Sequence, residues 1–260
     1  MVVISVCSLK GGVGKTSVVL GLADAAMRKG LATLVVDLDP QGDATYALGA
    51  KATGSASGDV LESPKRKVLE QTIVASGWEG AGELHVLPGA PSTAALDRPD
   101  AEGESLHTLR KALGKLDYDL VLIDAPPSLS GLTRSALVAS DRAIVVAEPG
   151  AFAVNAANRL FAAIDDLRRR EAGGLQPLGI VVNRFRPSVR EHAEQVKVLE
   201  RTFGPLVLSP VLADRAVVQR AQGARQPLSA IAGSAPMTDA YDALLSRIGR
   251  TAKALRRRTS

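Results

Sequence analysis

An α/β fold with a doubly wound, mostly parallel sheet and helices on both faces is what this sequence predicts, on three observations. Short, almost wholly apolar runs rich in Val, Ile and Leu recur along the chain, as strands buried on both faces require. Stretches with helical spacing separate them, the alternation that builds a parallel sheet from crossover units. The 260 residues fit one such domain, since a single α/β core routinely reaches this size, and no internal repeat or low-complexity linker divides them. Residues 1–260 are therefore read as one domain, with 241–260 as its basic C-terminal helix and tail.

Taken in order, Val2 to Val6 is a β-branched run that reads as the first strand. A glycine-rich turn follows, and then Ser17 to Lys29, where Val18, Leu22, Ala25 and Ala26 recur at helical spacing before Gly30 ends the helix. Leu31 to Asp37 is the second strand. The same apolar pattern returns at Tyr118 to Asp124, Arg142 to Ala147, Leu178 to Val182 and Leu206 to Leu208, and His85 to Leu87 adds a short one. Helices are expected near 131–140, 153–171, 189–203 and 236–255. Residues 49–66 and 97–105, rich in Gly, Ser, Ala and charge, read as surface excursions.

Composition narrows the function classes. Hydrophobic residues at 46% and charged residues at 23% are ordinary globular usage and exclude a chain disordered throughout. Aromatics at 3% leave too few rings for a protein that stacks nucleic-acid bases, so any nucleic-acid contact should be electrostatic. The one cysteine, Cys7, cannot supply a disulfide framework, a four-cysteine zinc site or a cysteine-ligated cluster. The N-terminal apolar run has no basic flank and is broken by Lys10 and glycines, which fits a buried strand of a cytoplasmic protein rather than a leader or a membrane span. Residues 241–260 hold six Lys and Arg against one acid, so the net charge of +5 resides in that segment.

Lys10-Gly11-Gly12-Val13-Gly14-Lys15-Thr16 lies between the first strand and the first helix, the context of a phosphate loop. Glycines let backbone N–H groups turn inward around phosphate oxygens, and the helix N-terminus that opens at Ser17 adds partial positive charge. Lys15 would neutralise the β- and γ-phosphates, and the Thr16 hydroxyl suits Mg²⁺. The strict pattern would have glycine at position 9, where this chain has Leu9, with Lys10 beside it.

That departure resembles the deviant Walker A motif of the ParA/MinD family of P-loop ATPases. The resemblance implies ATP with Mg²⁺, and a signature lysine, Lys10, that reaches across an ATP-dependent homodimer to the phosphates of the other subunit. Asp37-Leu38-Asp39-Pro40-Gln41-Gly42 is similar to the family's second station, whose later aspartate, here Asp39, positions the attacking water near the metal. Leu120 to Pro127 resembles its Walker B segment, which would deliver Asp124 to the magnesium shell. Asn183, after another apolar run, carries an amide suited to an adenine edge, with a turn residue as the alternative; Pro210 resembles the family's proline near the base. The match runs from about residue 2 to 250 and is weaker from 175 onwards.

Within the family, two readings differ in what the paired state grips. Tyr241, Leu244, Leu245, Ile248 and Leu255 fall on one helical stripe that reads as core packing, while Arg247, Arg250, Lys253 and Arg257 fall opposite. No bulky apolar residue follows Leu255, which disfavours the MinD-like membrane anchor. With Arg215, Arg220 and Arg225, those cations suit sequence-independent contact with DNA phosphates. The resemblance then implies a ParA-like ATPase on the nucleoid, stimulated by a ParB-like or cargo-adaptor protein and positioning a chromosome, plasmid or protein cargo. A metabolic ATP-dependent enzyme is the alternative from another class, although His85, His107 and His192 are scattered and no catalytic set is evident.

Overall fold

The computed structural model describes residues 1–51 and 54–259, with side chains as far as Arg250. One sheet runs through it: β1 (Val2–Cys7), β2 (Thr33–Asp37), β3 (Val74–Ala75), β4 (Leu84–Leu87), β5 (Leu120–Asp124), β6 (Arg142–Ala147), β7 (Gln176–Val182) and β8 (Val207–Leu208). They lie in the order β3-β4-β2-β5-β1-β6-β7-β8. Every neighbouring pair is parallel except β3 with β4. The central β1 is flanked by β5 and β6, so the chain leaves its C-terminal end where the later strands begin to add on the opposite side, the switch point at which doubly wound sheets bind ligands.

Alternation along the strands divides the core in two. Ile4, Val6, Leu120 and Leu122 face one layer, and Val3, Cys7, Val121 and Ile123 face the other, the period of two expected of extended backbone. The first layer is covered by α1 (Lys15–Arg28), α9 (Ala216–Ala224) and α10 (Ala235–Thr259), the second by α5 (Glu104–Leu113), α6 (Gly131–Ala139), α7 (Ala153–Arg170) and α8 (Arg190–Phe203). The stripe of Tyr241, Leu244, Leu245 and Ile248 is buried in the first core layer, as its spacing indicated, whereas the Leu255 side chain lies outside the described residues.

The α1–α10 contact is close because Gly21 has no side chain: a Cβ there would lie 2.2 Å from the Tyr241 ring. The Tyr241 hydroxyl donates to the Ser17 carbonyl at 3.1 Å. Buried Asp24 accepts from the Ser229 amide and hydroxyl, and Arg28 pairs with Asp242 at 2.7 Å. The C-terminal helix is thereby locked to the helix that opens at Lys15.

One expectation needs correction. Residues 49–66 are not a surface excursion throughout, because they contain α3 (Ser57–Glu62), in which Ser57, Gly58 and Val60 are buried. Its small residues, which read as loop, permit close packing: a Cβ on Gly58 would come within 3.3 Å of the Thr93 hydroxyl. Residues 97–105 do lie at the surface, none of them buried, and they lead into α5, whose Leu106, Leu109, Ala112 and Leu113 form a buried face. The short helices α2 (Asp43–Ala47) and α4 (Arg66–Thr72), and the antiparallel edge strand β3, had no periodic signal long enough to announce them.

Candidate nucleotide site

Between β1 and α1 the backbone turns through Gly12 (φ 76) and Gly14 (φ 88), left-handed conformations that favour glycine. Gly14 has a second constraint, since a Cβ there would lie 2.3 Å from Asn183 Nδ2. Asn183, at the end of β7, donates that Nδ2 to the Val13 carbonyl at 2.8 Å and braces the loop from behind. Its Oδ1 and second N–H are not used in that bond. Lys15 follows at the start of α1 and is buried, and the Thr16 hydroxyl donates to Asp124 Oδ2 at 2.7 Å.

Two carboxylates close the floor. Asp37 ends β2 and Asp124 ends β5, opposite each other in the parallel ladder, and both are fully buried. Asp37 Oδ2 accepts from the Thr45 amide at 2.9 Å and hydroxyl at 2.7 Å, and Oδ1 accepts from the Asp39 amide. The Thr45 hydroxyl in turn accepts from the Gly89 amide at 2.9 Å. Asp124 Oδ1, by contrast, is a buried acceptor without a hydrogen-bond partner among the described residues. Burial pushes the Asp124 carboxyl up to about 8, and Asp37 beside it adds to the rise while Thr16 and Lys15 oppose it. Burial also raises Asp37, to about 6, against the lowering bonds from Thr45.

Above this floor lies a cleft of about 520 Å³ lined by Gly11, Gly12, Gly14, Lys15, Thr16 and Ser17, with Asp39 at its side. Asp39 is partly exposed and Oδ1 accepts from the Gln41 amide at 3.0 Å. The structure therefore brings the loop residues, Asp39 and the underlying Asp124 into one place. It does not bring Lys10, whose Nζ turns away to Glu148 Oε2 at 3.0 Å, nor Pro210, which lines another cavity with Val211, Arg215 and Met237. Sequence reasoning missed Arg184 and Gln222, both on the cleft wall. Gln222 donates to the Ser17 hydroxyl at 2.9 Å across 205 residues, a contact with no local signal, whereas Arg184 directly follows Asn183.

The basic residues are dispersed. Arg215 and Arg220 are exposed on and before α9, Arg220 donating to the Ala232 carbonyl. Arg247 leans on the Pro205 carbonyl at 2.9 Å, and Arg250 is exposed on α10. The Lys253 and Arg257 side chains lie outside the described residues. Arg225 stacks over the Tyr46 ring at 4.0 Å.

The donor set fits a magnesium ion shared with phosphate. Thr16 offers a hydroxyl oxygen and Asp124 an unpartnered buried carboxylate oxygen, while among the described residues no group of three or more His, Cys, Asp and Glu could cage a metal. A divalent cation here would complete its shell with phosphate oxygens and water, as Mg²⁺ prefers.

A glycine-turned loop that opens a helix on a buried lysine, over a hydroxyl and strand-end carboxylates, defines a P-loop nucleotide site. Residues 1–176 match the protein family described as AAA domain. The chain is 32% identical over 250 residues to the chromosome-partitioning ATPase Soj of Thermus thermophilus, covering 94% of both. It is 30% identical over 198 residues to the maintenance of carboxysome distribution protein A of Synechococcus elongatus, covering 75% of this chain and 77% of that one. Among solved structures, cobyrinic acid a,c-diamide synthase from Mycobacterium smegmatis, with bound ADP and magnesium, superposes with a TM-score of 0.80 at 25% identity, covering 97% and 96% of the two chains. The chain belongs to the ParA/MinD family of P-loop ATPases, and it is an ATPase with ATP and Mg²⁺ as its ligand pair.

The buried pair sets a pH dependence. A carboxyl whose folded pKa is raised holds a proton that the unfolded chain has lost, so it takes stability away as pH rises from the unfolded value near 4 to the folded one. The apo protein should therefore lose thermal stability between about pH 4 and 8. Asp124→Asn should flatten that slope in a melting series without nucleotide; an equally steep slope in the variant would show that Asp124 is not the titrating group.

Proposed function

We propose that this chain is a ParA-like positioning ATPase that pairs on binding ATP, holds DNA without sequence preference in the paired state, and releases it when a partner protein stimulates hydrolysis. The observation that carries the reading is the placement of Lys10. It belongs to the phosphate loop, yet it stands outside its own cleft with a side chain 68% exposed, so its charge is available to a second molecule rather than to the nucleotide beneath it. The likeness to Soj and to the carboxysome distribution protein supports a partition or positioning role.

The chain's own groups would divide the work. The loop N–H groups and Lys15 hold the β- and γ-phosphates. Thr16 and Asp124 hold Mg²⁺, which when bound neutralises charge developing on the transferred phosphoryl group. Asp39, beside the cleft and fixed through the Asp37–Thr45 bonds, orients the attacking water. Asn183 keeps an amide oxygen and an N–H for the base, whereas Pro210 stands apart and would reach the base only after a shift of its loop.

DNA would be gripped by Arg215, Arg220 and Arg250, with Lys253 and Arg257 beyond; pairing doubles the number of cations on one assembly and turns weak phosphate contacts into retention. No helix among the described residues is long and apolar enough to cross a membrane. The metabolic alternative draws on the likeness to the diamide synthase. Turnover that depends on an added small acid and ignores DNA and protein partners would favour it.

Lys15→Ala should abolish binding of Mg·ATP, while Asp39→Ala should retain binding and lose turnover by about 100-fold or more. With ATP the Asp39→Ala protein should be a dimer by light scattering at micromolar concentration, and Lys10→Ala in that background should return it to monomer. Intact turnover in the Asp39 variant would remove the water-positioning role.

For DNA, if each subunit meets about three phosphates, log affinity should fall with log salt at a slope of roughly −5 for the dimer. Arg250→Ala with Arg257→Ala should weaken binding evenly across sequences; Arg247 is a poorer choice because its contact with Pro205 ties it to the fold. Absence of ATP-dependent binding at low salt, together with sedimentation on anionic liposomes, would point to the membrane-surface member of the family instead.

A further inference from the structure

Phe152 is the most exposed of the large apolar side chains among the described residues, at 79%. It occupies the turn between β6 and α7, four residues after the Glu148 that holds Lys10. Beside it lies a cavity of about 620 Å³ between the end of β6, the phosphate loop and α7, with walls from Leu9, Val13, Ala147, Ala153, Ala156 and Leu160. Small alanines on the α7 face leave this hollow open. The chain thus presents an unburied aromatic ring at the rim of an apolar hollow that it does not itself fill.

A ring and a hollow on one face are self-complementary under a two-fold axis, because each copy supplies what the other lacks. The charges agree with this. Lys10 and Glu148 sit side by side at the same rim, so a two-fold rotation brings the Lys10 of each copy toward the phosphate loop of the other. Leu9, Lys10 and Val13 belong both to the hollow and to the phosphate loop, so nucleotide occupancy and the shape of this face are coupled through the same backbone.

We propose that Phe152 is the apolar anchor of the ATP-dependent pair, its ring entering the hollow beside the phosphate loop of a second copy of this chain while the Lys10–Glu148 ion pair opens. This rests on the pairing described under Proposed function. The ring supplies affinity, and the released Lys10 supplies dependence on the nucleotide.

The test uses the full chain carrying Asp39→Ala, with ATP and Mg²⁺. Adding Phe152→Ala should weaken pairing by about 30-fold or more in light scattering, as loss of an aromatic anchor does, while a fluorescent ATP analogue binds the monomer within about two-fold of the parent. Adding Phe152→Trp instead should give emission that moves to the blue as the dimer forms; Trp78, the chain's one tryptophan, is already buried and contributes a constant background. If the Asp39→Ala parent pairs and the Phe152→Ala form pairs equally tightly, the anchor is overturned and pairing stands. A parent that stays monomeric overturns both. Pairing that persists while stimulation by a protein partner is lost would assign the hollow to that partner and likewise overturn the proposal.

Discussion

Two carboxylates at the ends of adjacent parallel strands, Asp37 and Asp124, are buried side by side with no cationic side chain among the described residues bonded to either. Like charges so placed cannot both ionise cheaply, so the protein must either retain a proton or acquire positive charge. The surrounding structure addresses each member differently. Asp37 is given Thr45, the Asp39 amide and, through Thr45, the Gly89 amide. A side chain on Gly89 would lie 2.8 Å from the Asp37 carboxyl carbon, so even that turn is shaped by the buried acid. Asp124 is given Thr16 on one oxygen and nothing on the other. The asymmetry makes Asp37 a structural tie for the segment bearing Asp39, and leaves Asp124 as the group that a cation would satisfy.

The phosphate loop is held to this floor from three directions. Asn183 braces Val13 from the end of β7, Gln222 reaches the Ser17 hydroxyl from α9, and Tyr241 reaches the Ser17 carbonyl from α10. The loop and the first turn of α1 are therefore bonded to segments more than 160 residues away in sequence. A movement of the loop on ligand binding would be felt by α9, which carries Arg220 and is preceded by Arg215, and by α10, which carries Arg250. This gives a physical route by which the nucleotide could reposition basic residues on the surface, through a packed and hydrogen-bonded path rather than through a separate domain.

Much of this arrangement could be read from residue order. The central strands are legible because they are buried on both faces and therefore nearly all apolar, and their ends are marked by Asp37, Asp124 and the glycines of the loop. Lys15, Thr16 and Asp39 were identified from spacing and resemblance, and they do converge on one cleft. What escaped notice depends on contacts between distant segments. α3 is built of small residues whose burial only packing reveals, and Asn183 shows nothing in sequence to say that its amide would be spent on Val13. Gln222 and the turn at Phe152 lie where no periodic pattern or motif applies, so their placement on the cleft and its rim appears only in three dimensions.

On the function proposed above, the buried acid pair is completed by the cation that accompanies the nucleotide. The most direct measurement is calorimetric titration of Mg·ATP into the Asp39→Ala protein at pH 7, in two buffers of different ionisation enthalpy. Because burial raises Asp124 to about 8, it should enter the complex by giving up its proton. The expected result is net proton release at pH 7 that disappears in the Asp124→Asn variant and fades above about pH 9. Tight binding at pH 7 with no proton exchanged, in either protein, would show that Asp124 does not receive the cation.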